Sequence, residues 1–149
     1  NGAADFTARA LPNSRGDHRQ AILADLTGDG RVDLLLSAID AESPLFIGDG
    51  KGNFTLGGRL GSASEATQAL AAADLDGDGD IDIVVGAGET SNGVYFNDGK
   101  GTFTALTLDD EAEDTYGVAI GDMDGDGLPD LVFANSQAPN VVMTARRLK

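Results

Sequence analysis

Short apolar runs recur along the chain in a fixed order, and each run ends at a polar or glycine-rich turn. In every repeat, a run rich in small residues precedes an aspartate-rich loop, a second run follows that loop directly, and a third run comes after a variable polar loop. Apolar runs of four or five residues favour strands that are buried on both faces. The predicted first strands are Ala21–Ala24, Ala69–Ala73 and Gly117–Gly121, the second are Asp33–Ser37, Asp82–Gly86 and Asp130–Ala134, and the third are Leu45–Ile47, Val94–Phe96 and Val141–Met143.

A fourth strand follows the third in two of the repeats. Residues 48–53 and 97–102 share the pattern Asp-Gly-Lys-Gly, whose glycines supply the positive φ angles that a hairpin needs. The fourth strands begin at Phe54 and Phe103, and no segment shows a convincing helical period. The pattern therefore predicts an all-β chain built from four-stranded antiparallel units.

The loop between the first and second strands carries the most informative polar residues. Its middle copy, residues 74–82, places carboxylates at Asp74, Asp76, Asp78 and Asp82, with glycines between them. Carboxylates in one short segment repel each other, and a hard cation such as Ca²⁺, which takes six to eight oxygen ligands, removes that repulsion. A solvated acidic loop is the alternative, but such regular alternation is not typical of a charge run.

Two further copies of this loop lie at nearly constant spacing. Residues 25–33 begin 49 residues upstream of the middle copy, and residues 122–130 begin 48 residues downstream of it. A period of this length is typical of propellers, solenoids and repeat arrays. The spacing therefore predicts one structural unit per loop.

Composition narrows the possible partners. The chain has 25 acidic residues against 10 lysines and arginines, a formal charge of −15, which three Ca²⁺ ions would reduce to −9. This balance argues against nucleic acid and anionic membranes as partners. The chain has no cysteine, so disulfide and thiol chemistry are excluded. It has no apolar run of 18 residues, and its first residues lack the pattern of a signal peptide. We therefore expect a soluble chain with no membrane insertion.

The loop pattern Asp-x-Asp-x-Asp-Gly-x-x-Asp between two apolar strands, followed by Phe-Asn-Asp-Gly-Lys-Gly-Thr-Phe at residues 96–103, resembles the FG-GAP/VCBS repeats of integrin-alpha-type β-propellers. The resemblance covers essentially the whole chain. It implies four-stranded propeller blades with Ca²⁺ bound between the first and second strands of each blade.

The resemblance also implies which residues hold up to three Ca²⁺ ions per chain. Thr27 stands where the other two loops have aspartate and brings no charge, so we expect the first site to be the weakest. The implied ligands are the side chains of Asp25, Thr27, Asp29 and Asp33 with the Arg31 carbonyl, those of Asp74, Asp76, Asp78 and Asp82 with the Asp80 carbonyl, and those of Asp122, Asp124, Asp126 and Asp130 with the Leu128 carbonyl.

An EF-hand or dockerin is the competing interpretation of these loops, because a glycine occupies the sixth position of each. An EF-hand needs a bidentate acid at position 12, where this chain has Leu36, Val85 and Phe133. The flanking segments are also strand-like rather than helical. The EF-hand interpretation therefore fails.

Three classes of function follow. A non-catalytic, calcium-stabilised scaffold or binding module is the preferred one, in an extracellular or secreted parent protein, because low-affinity Ca²⁺ sites suit a calcium-rich compartment. A lectin-like carbohydrate-binding propeller is the alternative. An enzyme is disfavoured, because His18 is the only histidine and no catalytic partner can be assigned to it. The candidate contacts for a protein or glycan ligand, whose identity stays open, are Asn92, Asp114, Tyr116 and Asn135.

The two ends of the chain predict how the units associate. Residues 1–7 resemble residues 98–104, so residues 1–10 are predicted to be a closing fourth strand. Blades then span residues 11–59, 60–108 and 109–149 of a single unit, 1–149, and the last blade lacks its own fourth strand. Because propellers have about four to eight blades, we expect a homodimer with six, in which Asp5–Ala10 pairs beside Val141–Thr144 of the other copy. A natural fragment or designed piece of a larger extracellular propeller is the alternative.

Overall fold

The computed structural model describes residues 4–108 and 114–147, and these residues contain eleven strands and no helix. The described residues thus include no helix long and apolar enough to cross a membrane. The strands are β1 (Ala21–Ala24), β2 (Asp33–Leu36), β3 (Ser43–Gly48), β4 (Phe54–Leu60), β5 (Ala66–Ala73), β6 (Asp82–Gly88), β7 (Gly93–Asn97), β8 (Phe103–Thr107), β9 (Thr115–Gly121), β10 (Asp130–Asn135) and β11 (Val141–Met143).

The strands form three antiparallel sheets that follow the order of the chain. The first sheet is β1-β2-β3-β4, the second is β5-β6-β7-β8, and the third, within the described residues, is β9-β10-β11. The predicted all-β class is therefore confirmed, and the predicted four-stranded antiparallel unit is confirmed for the first two sheets. β10 pairs with both β9 and β11, which leaves one edge of β11 without a neighbour among the described strands.

Two hydrophobic cores place the second sheet between the other two. The first core joins the first two sheets, and the second core joins the second sheet to the third. Buried members of the first core are Leu26, Leu35, Leu45, Leu60, Leu70, Ile83, Val85 and Ala87, and those of the second are Val84, Val94, Leu131 and Phe133. β6 contributes alternate side chains to both cores, and all seven of its residues are buried.

The prediction that the first and second strands are buried on both faces is correct for β6 but wrong for β1 and β9. Exposed and half-buried residues alternate along β1, and Leu23 is 65% exposed. In β9 none of the five residues after Thr115 and Tyr116 is fully buried, and Ala119 and Gly121 are exposed. The reason is that the first and third sheets each have a neighbouring sheet on one side only in the single chain.

Polar contacts also hold the first and second sheets together. The Gln20 side chain accepts a hydrogen bond from the backbone N–H of Leu70 and donates one to its carbonyl, both at 2.8 Å. The Asn97 amide donates to the Leu26 carbonyl at 3.0 Å. These bonds tie the first sheet and its aspartate loop to the second sheet.

Residues 4–10 form no strand in the single chain. Arg9 donates hydrogen bonds to the Asn53 side chain and the Gly52 carbonyl, while Phe6 is 90% exposed. The predicted pairing of this segment needs a second chain and stays a prediction. Residues 1–3 of the predicted closing strand and residues 109–113 at the start of the predicted third blade lie outside the described residues.

Candidate metal centres

Each aspartate loop folds around the carboxylate of its first residue. Asp74 accepts hydrogen bonds from the backbone N–H of Gly77 at 2.7 Å and of Gly79 at 3.1 Å. Both glycines have positive φ angles, 86° and 95°, which a residue with a side chain rarely adopts. Asp122 receives the equivalent bonds in the last loop, at 2.7 and 3.0 Å. The glycine and aspartate positions therefore determine the curvature of the loop locally.

The fifth residue of each loop orients the seventh, whose carbonyl is an expected ligand. The N–H of Asp80 donates to the Asp78 carboxylate at 2.9 Å, and the N–H of Leu128 donates to Asp126 at the same distance. The carboxylate at the third position accepts the N–H of the fifth residue, at 3.2 Å in both the middle loop and the last loop. The middle and last loops thus have one common backbone geometry.

This geometry brings carboxylate oxygens close together in two of the loops. Asp74, Asp76 and Asp78 each present an oxygen within 4.8 Å of the others. Asp122, Asp124 and Asp130 do the same in the last loop. A donor set made only of carboxylate oxygens suits a hard cation such as Ca²⁺. Both clusters could therefore hold a metal ion.

The ninth-position aspartate has a second role that the sequence did not reveal. Asp82 is 1% exposed, and it accepts hydrogen bonds from the N–H of Leu75 and the N–H of Asn97, both at 2.8 Å. It therefore ties its loop to the end of the third strand of the sheet. Asp33 and Asp130, both 0% exposed, make the equivalent pair of bonds. Because a carboxylate oxygen has two lone pairs, these bonds leave room for a metal contact.

The first loop differs from the other two in ways that weaken it as a cation site. The Thr27 hydroxyl donates to the Asp33 carboxylate at 3.0 Å. The Arg31 guanidinium pairs with the Asp29 carboxylate and donates to the Gly48 carbonyl. A positive side chain therefore occupies the neighbourhood that the cation needs. In the described residues, this loop does not bring three carboxylates within the distance seen in the other two.

The middle loop concentrates negative charge. Partial burial, followed by the carboxylates of Asp78 and Asp98, raises the pKa of Asp80. Burial also raises the pKa of Asp82. At the equivalent position of the third sheet, hydrogen bonds from the N–H groups of Met123 and Ala145 lower the pKa of Asp130.

The four candidate ligand contacts have different environments. Asn92 is 3% exposed, and its side-chain oxygen accepts the N–H of Ala87, so its side chain stabilises its own loop, and its contact with a ligand stays a prediction. The Asn135 amide bonds to Thr115 and to the Pro139 carbonyl within its own loop. Tyr116 is 52% exposed, with the Arg19 guanidinium 6.0 Å from its ring centre, and the Asp114 carbonyl accepts the N–H of Ser136.

The residues at the twelfth position of the loops confirm that these are not EF-hands. Leu36 ends β2, while Val85 and Phe133 are fully buried inside β6 and β10. The segments on both sides of each loop are strands.

Comparison with known families gives an independent result. The family model for the FG-GAP-like repeat matches residues 25–85 and residues 74–133. Each match begins at the first aspartate of one loop and ends within the strand that follows the next loop. Together the two matches span well over half of the chain. A search of curated proteins finds no match.

Proposed function

Since the chain belongs to the FG-GAP-like repeat family, we propose that it is a calcium-binding β-propeller module that serves as a scaffold or binding domain and not as an enzyme. In this proposal the three sheets are propeller blades, the aspartate loops hold Ca²⁺, and the parent protein works in a calcium-rich extracellular compartment.

Packing of the innermost strands supports the propeller arrangement. β5 contacts β9 of the next sheet and β1 of the previous one. These first strands are rich in alanine and glycine, and small side chains suit the narrow inner end of a blade. The first strands of neighbouring sheets therefore lie together, as the propeller arrangement requires.

The clustering of carboxylate oxygens in two loops is the observation that carries the calcium proposal. Asp74, Asp76 and Asp78 lie close enough together to repel one another, and a divalent cation would convert that repulsion into attraction. The proposed ion has a structural role, because an ion held only by the folded chain stabilises it by mass action. At a free concentration of about 100 times Kd, this gain is about 2.7 kcal/mol per site.

Thermal unfolding in calcium and in chelator tests the proposal. We expect calcium to raise the Tm of the wild-type chain, and we expect Asp78→Ala to lose more of that gain than Asp29→Ala, since Asp29 already pairs with Arg31. These two variants are matched because they remove the same loop position from the middle site and from the site expected to be the weakest. An identical Tm in calcium and chelator would refute a calcium-stabilised module.

A further inference from the structure

The open edge of β11 borders an apolar groove between the second and third sheets. The groove has a volume of about 610 Å³, and its apolar lining includes Leu75, Val94 and Phe96 from the second repeat and Leu131 and Met143 from the third. In the first two sheets, the corresponding edge of the third strand is covered by β4 or β8. The groove therefore lies where a fourth strand packs elsewhere in the same molecule.

Hydrogen bonds identify the residues of the third sheet that a fourth strand would pair with. The N–H of Ala145 donates to Asp130 at 2.9 Å, just as the N–H of Asn97 donates to Asp82 at 2.8 Å. Ala145 is thus the counterpart of Asn97, which pairs with Phe103 in the second sheet. A phenylalanine is therefore expected opposite Ala145.

The chain contains a third segment of the required sequence. Phe6-Thr7-Ala8 repeats the residues Phe103-Thr104-Ala105 that begin β8, and Phe54-Thr55 begins β4. Phe103 packs against the first core, whereas Phe6 is 90% exposed and residues 4–10 form no strand. We propose that the groove binds residues 5–8 of a second copy of this chain, as the fourth strand of its third sheet.

Charge supports this occupant. Arg146 follows Ala145 in the third sheet, so it is the counterpart of Asp98, which follows Asn97 in the second sheet. The N–H of Asp98 donates to the carbonyl of residue 102, which directly precedes Phe103. In the proposed strand the residue before Phe6 is Asp5. The arrangement therefore places the Asp5 carboxylate of one copy opposite the Arg146 guanidinium of the other, and both residues are exposed in the single chain.

The outward-facing sides of the first and third sheets carry exposed apolar side chains that a second copy would cover. Leu26, Leu75 and Met123 are equivalent, because the N–H of each donates to the ninth-position aspartate of its loop. Leu26 and Leu75 pack in the two cores, whereas Met123, in the last aspartate loop, is 47% exposed.

The first sheet presents the complementary surface. By register with the strand that follows it, Leu23 is equivalent to Ala72 and Ile120, which pack in the first and second cores. Leu23 is instead 65% exposed. Stacking the third sheet of one copy on the first sheet of the other covers Met123 and Leu23 together. Such a head-to-tail contact closes after two copies into a ring of six sheets, which is within the usual range for propellers.

Disulfide cross-linking tests the pairing directly, because the chain has no cysteine of its own. Phe96 pairs with Thr104 in the second sheet, so Thr144 and Thr7 are the equivalent pair across the two copies. We expect Thr7→Cys with Thr144→Cys to give, under oxidising conditions in calcium, a band at twice 15.2 kDa, or 30.4 kDa. Thr55→Cys with Thr144→Cys is the matched control, since Thr55 is exposed but already lies in β4, and it should remain at 15.2 kDa.

Light scattering on variants tests the side chains that carry the proposal. Phe6→Ser should raise the dimer dissociation constant by at least roughly a hundredfold, because two symmetric phenylalanine contacts are lost. Its circular dichroism should not change, since Phe6 is exposed in the single chain. Asp5→Arg and Arg146→Asp should each weaken the dimer, and the double variant should restore it. The proposal would be overturned if light scattering showed a 15.2 kDa wild-type species. It would also be overturned if the oxidised Thr7→Cys, Thr144→Cys variant stayed at 15.2 kDa or formed a ladder above 30.4 kDa.

Discussion

The buried ninth-position aspartate of the middle loop offers a test that separates folding from metal binding. Asp82 accepts the N–H groups of Leu75 and Asn97 and is 1% exposed. Asp82→Ala removes the acceptor for both donors and leaves no side-chain oxygen in its place. The structure therefore predicts that this substitution destabilises the chain even without calcium.

The magnitude follows from the two donors. A buried donor left without a partner costs about 1–3 kcal/mol, so Asp82→Ala should lower the free energy of unfolding by about 2–6 kcal/mol. For a chain of this size, 1 kcal/mol corresponds to about 2–4 °C in Tm. The variant should thus lose at least about 4 °C in chelator. Asp82→Asn retains one acceptor oxygen and should lose less.

The assay is thermal unfolding in chelator, with Asp78→Ala as the control. Asp78 is exposed and accepts one backbone N–H, from Asp80, so its loss without metal costs little and relieves charge repulsion. We expect Asp78→Ala to reduce the stabilisation by calcium while leaving the Tm in chelator nearly unchanged. A Tm of Asp82→Ala within about 2 °C of wild type in chelator would refute the tie that we assign to this residue.

Three further predictions concern the loops and the core. Gly28→Ala should destabilise the chain more than Gly30→Ala in chemical denaturation. Both residues have positive φ angles, but only at Gly28 would a Cβ lie 2.5 Å from a backbone carbonyl oxygen, that of Gly99. Equal losses of stability in the two variants would contradict this prediction. In chelator, the Tm should rise as the pH is lowered from 7 through the raised pKa of Asp80. The pKa of Asp80 is raised in the folded chain, so its contribution is full below 3.8 and is lost as the pH rises through the raised value. Asp80→Asn should reduce this rise, and calorimetry that shows the same rise in both proteins would exclude Asp80 as its source. Ala72→Leu should cost about 1–3 kcal/mol by overpacking the first core, whereas the exposed Ala105→Leu should change stability by less than about 0.5 kcal/mol in the same urea titration.

The order of strands and the position of each loop followed from the sequence because the information is local. Glycines at fixed loop positions set the positive φ angles, and alternating aspartates bond to the backbone within five residues. The predicted bounds of β1 and β11 agree with the structure. β5 begins at Ala66 rather than at Ala69, because polar residues interrupt the apolar run while pairing with β6 and a bulge extend the strand. Length was thus decided by the neighbouring strand.

The candidate metal loops, too, could be predicted from the sequence only in part. Their acidic positions and the weakness expected of the Thr27 loop could be predicted, because ligand type and charge belong to the residues themselves. The bonds that the ninth aspartate makes to the end of the third strand could not, since its partner N–H lies 15 residues away for Asp82 and is not marked by any side chain. The Arg31 pairing with Asp29 likewise depends on how the loop folds.

Burial was decided only by the tertiary structure. Leu23 and Ala72 hold the same register position in their sheets, yet the leucine is exposed and the alanine packs in a core. An apolar run predicts a strand with two apolar faces, but the number of neighbouring sheets determines whether both faces are covered. The second sheet has a neighbour on each side and the outer sheets have one, so identical local patterns give buried residues in the middle of the chain and exposed apolar residues at its two ends.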